Sequence, residues 1–242
     1  MKLGTFYGIG VGPGDPELLT VKAAKILAAC PHVFVPKARV KSESVALAIA
    51  EQHVNRGAQI HELVFPMTTD PVKLAASWSA AAETIVPVLK TGADACFLTL
   101  GDPLVYSTYI YLLRSLREQL PTLTAVTVPG VTSFCAASAL TNFTLGEGKE
   151  PVTIVPTADD LTAVRRALEV GGTVVLMKIG NRLKEILALL EEQGVIGDAV
   201  FVARVGLDGQ RVELDLRKLR ADDPETGYLS VILVHARRKE SR

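Results

Sequence analysis

Two periods of apolar residues take turns along the first half of the chain. Short apolar runs end at glycine or proline, and longer stretches between them repeat their apolar positions every three to four residues. The runs at 4–12 (GTFYGIGVG), 32–36 (HVFVP), 58–66 (AQIHELVFP), 94–103 (DACFLTLGDP) and 123–130 (LTAVTVPG) predict five strands. The stretches at 19–30, 42–54, 74–92 and 109–120 predict helices between them, with Thr20 and Ser42 or Ser44 as N-caps. Pro87 weakens the third helix and Gly92 closes it. Strands alternating with helices predict an α/β domain whose sheet is mostly parallel, with helices on both faces.

Beyond Gly130 the rhythm changes. Residues 131–142 predict a helix. Strands follow at 152–156, 171–178, 199–206, 210–216 and 228–236, with helices only at 161–170 and 182–194. Consecutive strands near the end predict antiparallel pairing and a mixed sheet with helices. The expected organisation is therefore two α/β domains, 1–129 and 130–242, the second of α+β character. The last residues, ARRKESR, read as a solvated tail.

Composition narrows the function. Of 242 residues 48% are hydrophobic, enough for a substantial core, and the formal net charge is zero. Neutrality argues against a broad nucleic-acid face, which needs a basic excess. No run is long and apolar enough for a membrane span, and the first residues lack a signal-peptide pattern. Cys30, Cys96 and Cys135 are scattered and odd in number, which disfavours disulfides and points to the cytoplasm. His32, His53, His61 and His235 form no metal-ligand spacing and read as surface or helix-end residues, so no protein-bound metal is expected.

The chemistry concentrates in the turns. Gly8, Gly10, Gly12 and Gly14 follow the first strand. The dinucleotide fingerprint G-x-G-x-x-G fails in both registers, because Pro13 or Asp15 stands where the third glycine belongs. The phosphate loop G-x-x-x-x-G-K-[ST] fails as well. An anionic Asp15 would repel a pyrophosphate. Taken locally, the segment is a tight turn with Asp15 as cap and Pro16 opening a helix. The tripeptide Gly-Asp-Pro then recurs: Gly14-Asp15-Pro16 and Gly101-Asp102-Pro103 each follow a predicted strand. In a parallel sheet those strand ends share one edge, where ligands bind.

Taken together, GIGVGPGDPELLTVKAAKIL (8–27), FLTLGDPLVYSTY (97–109) and VPGVTSFCAASA (128–139) resemble the tetrapyrrole methylases, the class III S-adenosylmethionine-dependent methyltransferases. The likeness covers nearly the whole chain. VFVPKARVKSESVALAIAE (33–51), ELVFPMTTD (62–70) and LGDPLVYSTYIYLL (100–113) are more narrowly similar to the subfamily that methylates carbon 20 of precorrin-2 or cobalt-factor II in cobalamin biosynthesis. The resemblance implies a homodimer of two-domain chains, with the methyl donor in a cleft between the domains. It also implies that the first glycine turn grips no phosphate, since the donor has none.

Methyl transfer from a sulfonium is an in-line displacement that asks mainly for positioning. That accounts for the lack of a triad or metal cluster in the sequence. The resemblance implies that Gly101, Asp102, Pro103, Tyr106, Ser107, Thr108, Val131, Thr132 and Ser133 shape the donor site, with Met177 and Val205 touching adenosine. Taken alone, Met177 reads as strand core, and Thr132 or Ser133 as a helix cap. The acceptor would be a flat tetrapyrrole ringed by carboxylates. Pro13, Gly14 and Asp15 would meet it, with Lys37, Arg39 and Lys41 on the loop after the second strand neutralising its carboxylates. The proton-abstracting base stays open among Asp15, Tyr106 and Tyr109. The alternatives are a methyltransferase of the same fold acting on another tetrapyrrole position, on diphthamide or on ribosomal RNA. A nicotinamide enzyme lacks its fingerprint here, and a non-catalytic binding module would show no methyl turnover.

Overall fold

The computed structural model describes residues 2–37, 43–66, 68–157, 160–219 and 224–236. The chain divides into two compact units, Met1–Thr132 and Ser133–Arg242.

In the first unit the five strands form where the apolar runs predicted: β1 Phe6–Gly10, β2 His32–Lys37, β3 Gln59–Val64, β4 Ala95–Thr99 and β5 Ala125–Val128. They build one parallel sheet in the order β3-β2-β4-β1-β5. Four helices connect them: α1 Val21–Ala29, α2 Val45–Ala50, α3 Pro71–Lys90 and α4 Tyr109–Gln119. Local capping starts three of them. Thr20 accepts from Ala23 N at 3.2 Å, Ser44 from Leu47 N at 3.4 Å, and Asp70 from Val72 N at 2.9 Å. Helix α3 continues past Pro87 and begins at Pro71, three residues earlier than its apolar period suggests.

Helices α3 and α4 pack side by side on one face, where Trp78 stacks on Tyr111 at 4.2 Å. Beneath them Phe6, Phe34, Phe97, Ile85, Leu89, Leu112 and Leu116 are fully buried. Each such side chain contributes on the order of 1.5–3 kcal/mol of burial. Helix α2 covers the other face at β2 and β4.

The second unit carries β6 Val152–Pro156, β7 Gly172–Met177, β8 Ala199–Ala203, β9 Arg211–Glu213 and β10 Ser230–Ala236. Their order is β6-β7-β10-β8-β9, with only β6 and β7 parallel, the mixed sheet that consecutive late strands predict. Helices α5 Ser133–Thr141, α6 Thr162–Val170 and α7 Leu183–Glu192 complete it. Leu168, Ile186, Leu190, Phe201 and Ile232 lie in its core.

One reading of single residues needs correction. Three of the four histidines lie in strands rather than at surfaces or helix ends. His32 Nδ1 is 3.2 Å from His61 Nε2, and His61 stacks on Phe34. His235 stacks on Phe143 at 4.0 Å. The cysteines are free thiols, as expected, although the fold brings two of them together. Cys30 and Cys96, both buried free thiols, share a hydrogen bond that holds the Cys30 thiol below its ordinary value, while the same bond and burial push Cys96 up.

Candidate functional site

The strand order decides which turns meet. Strands β4, β1 and β5 are neighbours, so their carboxyl ends bring residues 10–15, 100–107 and 129–132 to one stretch of sheet edge. This edge is where open parallel sheets bind ligands.

Backbone contacts fuse the three turns. Gly12 and Gly101 form a two-way bridge, with Gly101 N donating to Gly12 O at 2.7 Å and Gly12 N to Gly101 O at 3.3 Å. A Cβ on Gly10 would lie 2.6 Å from both Gly101 O and Gly130 N, and a Cβ on Gly130 would collide with Gly101 O. Only glycine permits that approach. Asp102 ties the remaining pair: Oδ1 accepts from Leu104 N at 2.8 Å and Oδ2 from Gly130 N at 3.1 Å. The carboxylate is thus a brace between the second and third turns.

Gly101 differs from its partners. Its φ is +70°, and a Cβ there would meet nothing within 4 Å. The turn therefore faces open space, and bulk within the protein is not what demands glycine there. Tyr106, half-exposed, also takes a left-handed φ of +52°, which is rare for a bulky residue. Ser107 holds the turn from inside. Its Oγ lies 2.8 Å from Thr99 Oγ1 and accepts from Tyr109 N at 3.1 Å. Thr108 precedes α4 without a side-chain cap bond, and Pro103 is buried. Val131 and Ser133 are half-buried. Thr132 Oγ1 is buried and lacks a hydrogen-bond partner among the described residues, so it is not the helix cap that local reading allowed. A buried hydroxyl without a partner loses free energy unless a ligand supplies one.

Other expected residues are placed differently. Pro13 and Gly14 are buried. Asp15 accepts from Glu17 N at 2.8 Å and starts a single 3-10 turn at Pro16–Leu18, the cap that local reading predicts. Tyr109 is withdrawn from the candidate bases. It is fully buried, its hydroxyl sits 2.7 Å from Thr127 Oγ1, and burial raises its pKa above the ordinary phenol value. Its ring also fills the place of any side chain on Gly8, which explains that glycine by packing. Lys37 ends β2 rather than lying on a loop, and Glu62 Oε1 pairs with it at 2.7 Å. Its charge is answered within the sheet. Arg39 and Lys41 lie outside the described residues.

In the second unit, Met177 closes β7 half-buried, and its carbonyl accepts from Thr157 N at 2.8 Å. Val205 is buried just past β8. Sequence reasoning missed the close approach of Gly10 to Gly130 and the brace at Asp102. Only the strand order reveals them.

Comparison with known proteins gives the family. The family model of the tetrapyrrole (corrin/porphyrin) methylases matches residues 5–219. A cobalt-precorrin-2 C(20)-methyltransferase of Salmonella typhimurium is 31% identical over 96% of this chain and 96% of its own length. A precorrin-2 C(20)-methyltransferase of a Sinorhizobium species is 29% identical over 96% and 95%. The solved uroporphyrin-III C-methyltransferase of Thermus thermophilus, complexed with S-adenosylhomocysteine, superimposes with a TM-score of 0.64 at 20% identity, covering 96% of this chain and 92% of that one. The fold is shared with that methyltransferase. The chain belongs to the tetrapyrrole methylase family.

Proposed function

We propose that this chain transfers a methyl group from S-adenosylmethionine to carbon 20 of precorrin-2 or its cobalt-bearing counterpart in cobalamin biosynthesis. The observation that carries the reading is the end-to-end match to relatives named for that reaction. The candidate site supports it independently: it holds an orphaned buried hydroxyl, an open glycine turn and no phosphate fingerprint.

The donor supplies a methyl group on a positively charged sulfur. The chain's part is to hold a rigid frame around it. Gly10, Gly101 and Gly130 bring backbone close together, and Asp102 locks two of the turns. Thr132 Oγ1 is the hydroxyl that a polar group of the donor would satisfy. Such preorganisation is worth several kcal/mol of barrier when nucleophile, carbon and sulfur are aligned. Asp15 and Tyr106 stay as candidates for the residue that removes the acceptor's proton. The working form is read as a homodimer in the cytoplasm. Among the described residues no helix is long and apolar enough to cross a membrane.

Mass spectrometry of products tests the reading. Purified protein with the donor and either acceptor should add one methyl to the tetrapyrrole, and nuclear magnetic resonance should place it at carbon 20. Donor binding without any methylated tetrapyrrole, or methylation at another carbon, overturns it. The faster acceptor tells whether the metal-free or the cobalt form is the substrate.

A further inference from the structure

The start of α4 is tied to all three strands whose ends carry the site. Tyr109, the first residue of α4, is fully buried, and its ring stacks with Phe6 of β1 and Phe97 of β4 at 6.1 and 6.4 Å between centroids. The ring crosses β1 at Gly8, where any Cβ would collide with it. Beyond Gly8 the phenol oxygen reaches Thr127 Oγ1 on β5 at 2.7 Å. Gly8 is in register with both Phe97 and Thr127. At its other end, Tyr109 N donates to Ser107 Oγ at 3.1 Å, and Ser107 Oγ lies 2.8 Å from Thr99 Oγ1, at the end of β4. Thr99 and Ser107 are buried and Thr127 is half-buried.

This tie meets the second turn at its strained end. Gly101 opens the turn at φ +70° and is fixed by its bridge to Gly12 and by the brace at Asp102. Tyr106 closes it at φ +52°, a conformation that persists for a bulky residue only where the surroundings hold it. Thr108 supplies no side-chain cap to α4, so Ser107 and Tyr109 fix this end instead.

Phenylalanine at position 109 would fill the same place over Gly8. The hydroxyl adds one bond to β5, and that bond has a direction, which apolar packing lacks. Burial holds the phenol pKa above its ordinary value, so the bond persists through the ordinary pH range. Strand β5 in turn leads into Pro129, Gly130 and Thr132, whose Oγ1 is the buried hydroxyl without a partner. The Tyr109–Thr127 bond therefore links the turn that ends at Tyr106 to the strand that carries Thr132.

We propose that Tyr109 and Thr127 are positioning residues for the donor site, their bond setting the second turn against the third. This assignment rests on the function proposed above, because it takes that sheet edge as the donor's. Tyr109 acts through the turn and not on the substrate, since its side chain is wholly enclosed.

Calorimetry with S-adenosylhomocysteine, melting temperatures and steady-state kinetics on precorrin-2 test the assignment together. Thr127→Val leaves the buried phenol without a partner. It should lower the melting temperature and weaken donor affinity about fivefold, the net worth of roughly one neutral hydrogen bond. Adding Tyr109→Phe removes both partners while keeping the packing, which should restore most of the melting temperature. Donor affinity in this double variant should stay about fivefold below wild type, and Thr127→Ser, which keeps the hydroxyl, should recover it. Asp70→Ala, a loss of stability at the opposite edge of the sheet, should leave donor affinity unchanged. In Tyr109→Phe the pH profile of kcat should keep its shape, because no proton passes through the phenol. A double variant with wild-type donor affinity overturns the proposal and leaves the bond a matter of stability alone. Loss of kcat in Tyr109→Phe at unchanged donor affinity also overturns it, as the mark of a proton-transferring group. A wild type that binds no S-adenosylhomocysteine overturns the underlying reading and this assignment with it, a failure visible before any variant is made.

Discussion

A Cβ built on Gly130 would run into the carbonyl oxygen of Gly101, whereas one built on Gly101 would meet nothing within 4 Å. The two glycines, alike in the sequence, are constrained for different reasons, and their alanine variants should separate. Gly101→Ala strains only its left-handed backbone, about 1–2 kcal/mol. It should leave a folded protein with weakened donor binding, because the new methyl occupies open space beside the turn. Gly130→Ala forces two backbones apart and should lower both melting temperature and donor affinity. Equal melting temperatures for the two would refute this distinction. Asp102 is legible as a special residue, yet its work as a brace is not. Asp102→Ala leaves Gly130 N without its partner and should weaken donor binding by about 1–3 kcal/mol. Asp102→Asn keeps one accepting oxygen and should fall between alanine and wild type in calorimetry. An asparagine variant no better than alanine would mean that the charge, rather than the two bonds, matters.

At the scale of elements, local chemistry explains most boundaries. Asp70 accepts from two backbone N–H groups at the start of α3, and Asp70→Ala should lower stability by about 1 kcal/mol in urea unfolding. Donor affinity should not change, because α3 follows β3, at the opposite edge of the sheet from β5. A loss of donor binding in this variant would show that the site reaches farther than the three turns. The sequence under-reads α3 at both places where proline stands. Pro71 opens the helix, where its missing N–H is harmless. Pro87 sits inside it, yet Ile85, Val86 and Leu89 around it are buried against the sheet. Their tertiary burial outweighs the intrinsic helix preference.

For the whole molecule, the His32–His61 pair sets an acid limit. Burial and the neighbouring His32 lower the His61 pKa from its ordinary 6.5. The folded state therefore binds fewer protons than the unfolded chain between the two values, and stability is full above pH 6.5. It is lost as pH falls through the folded pKa. Unfolding by urea at about pH 8 and about pH 5 should show a larger drop for wild type than for His61→Phe, which keeps an aromatic ring on Phe34 but does not titrate. The same drop in both would assign the acid sensitivity elsewhere.

Alternation of apolar and polar positions was enough to determine ten strands, seven helices and a parallel sheet followed by a mixed one, because each strand and helix buries one face and so prints its own period. The paired Gly-Asp-Pro turns were likewise visible, since few residue types tolerate such backbone. Tertiary structure alone decided that β4 and β5 flank β1, and hence that three turns spread from residue 10 to residue 132 share one edge. It also decided which polar residues are withdrawn or already paired. Tyr109 and Lys37 carry suitable chemistry, but burial and Glu62 take them out of reach. Burial, pairing and backbone handedness depend on neighbours that are distant along the chain, and no local pattern records them.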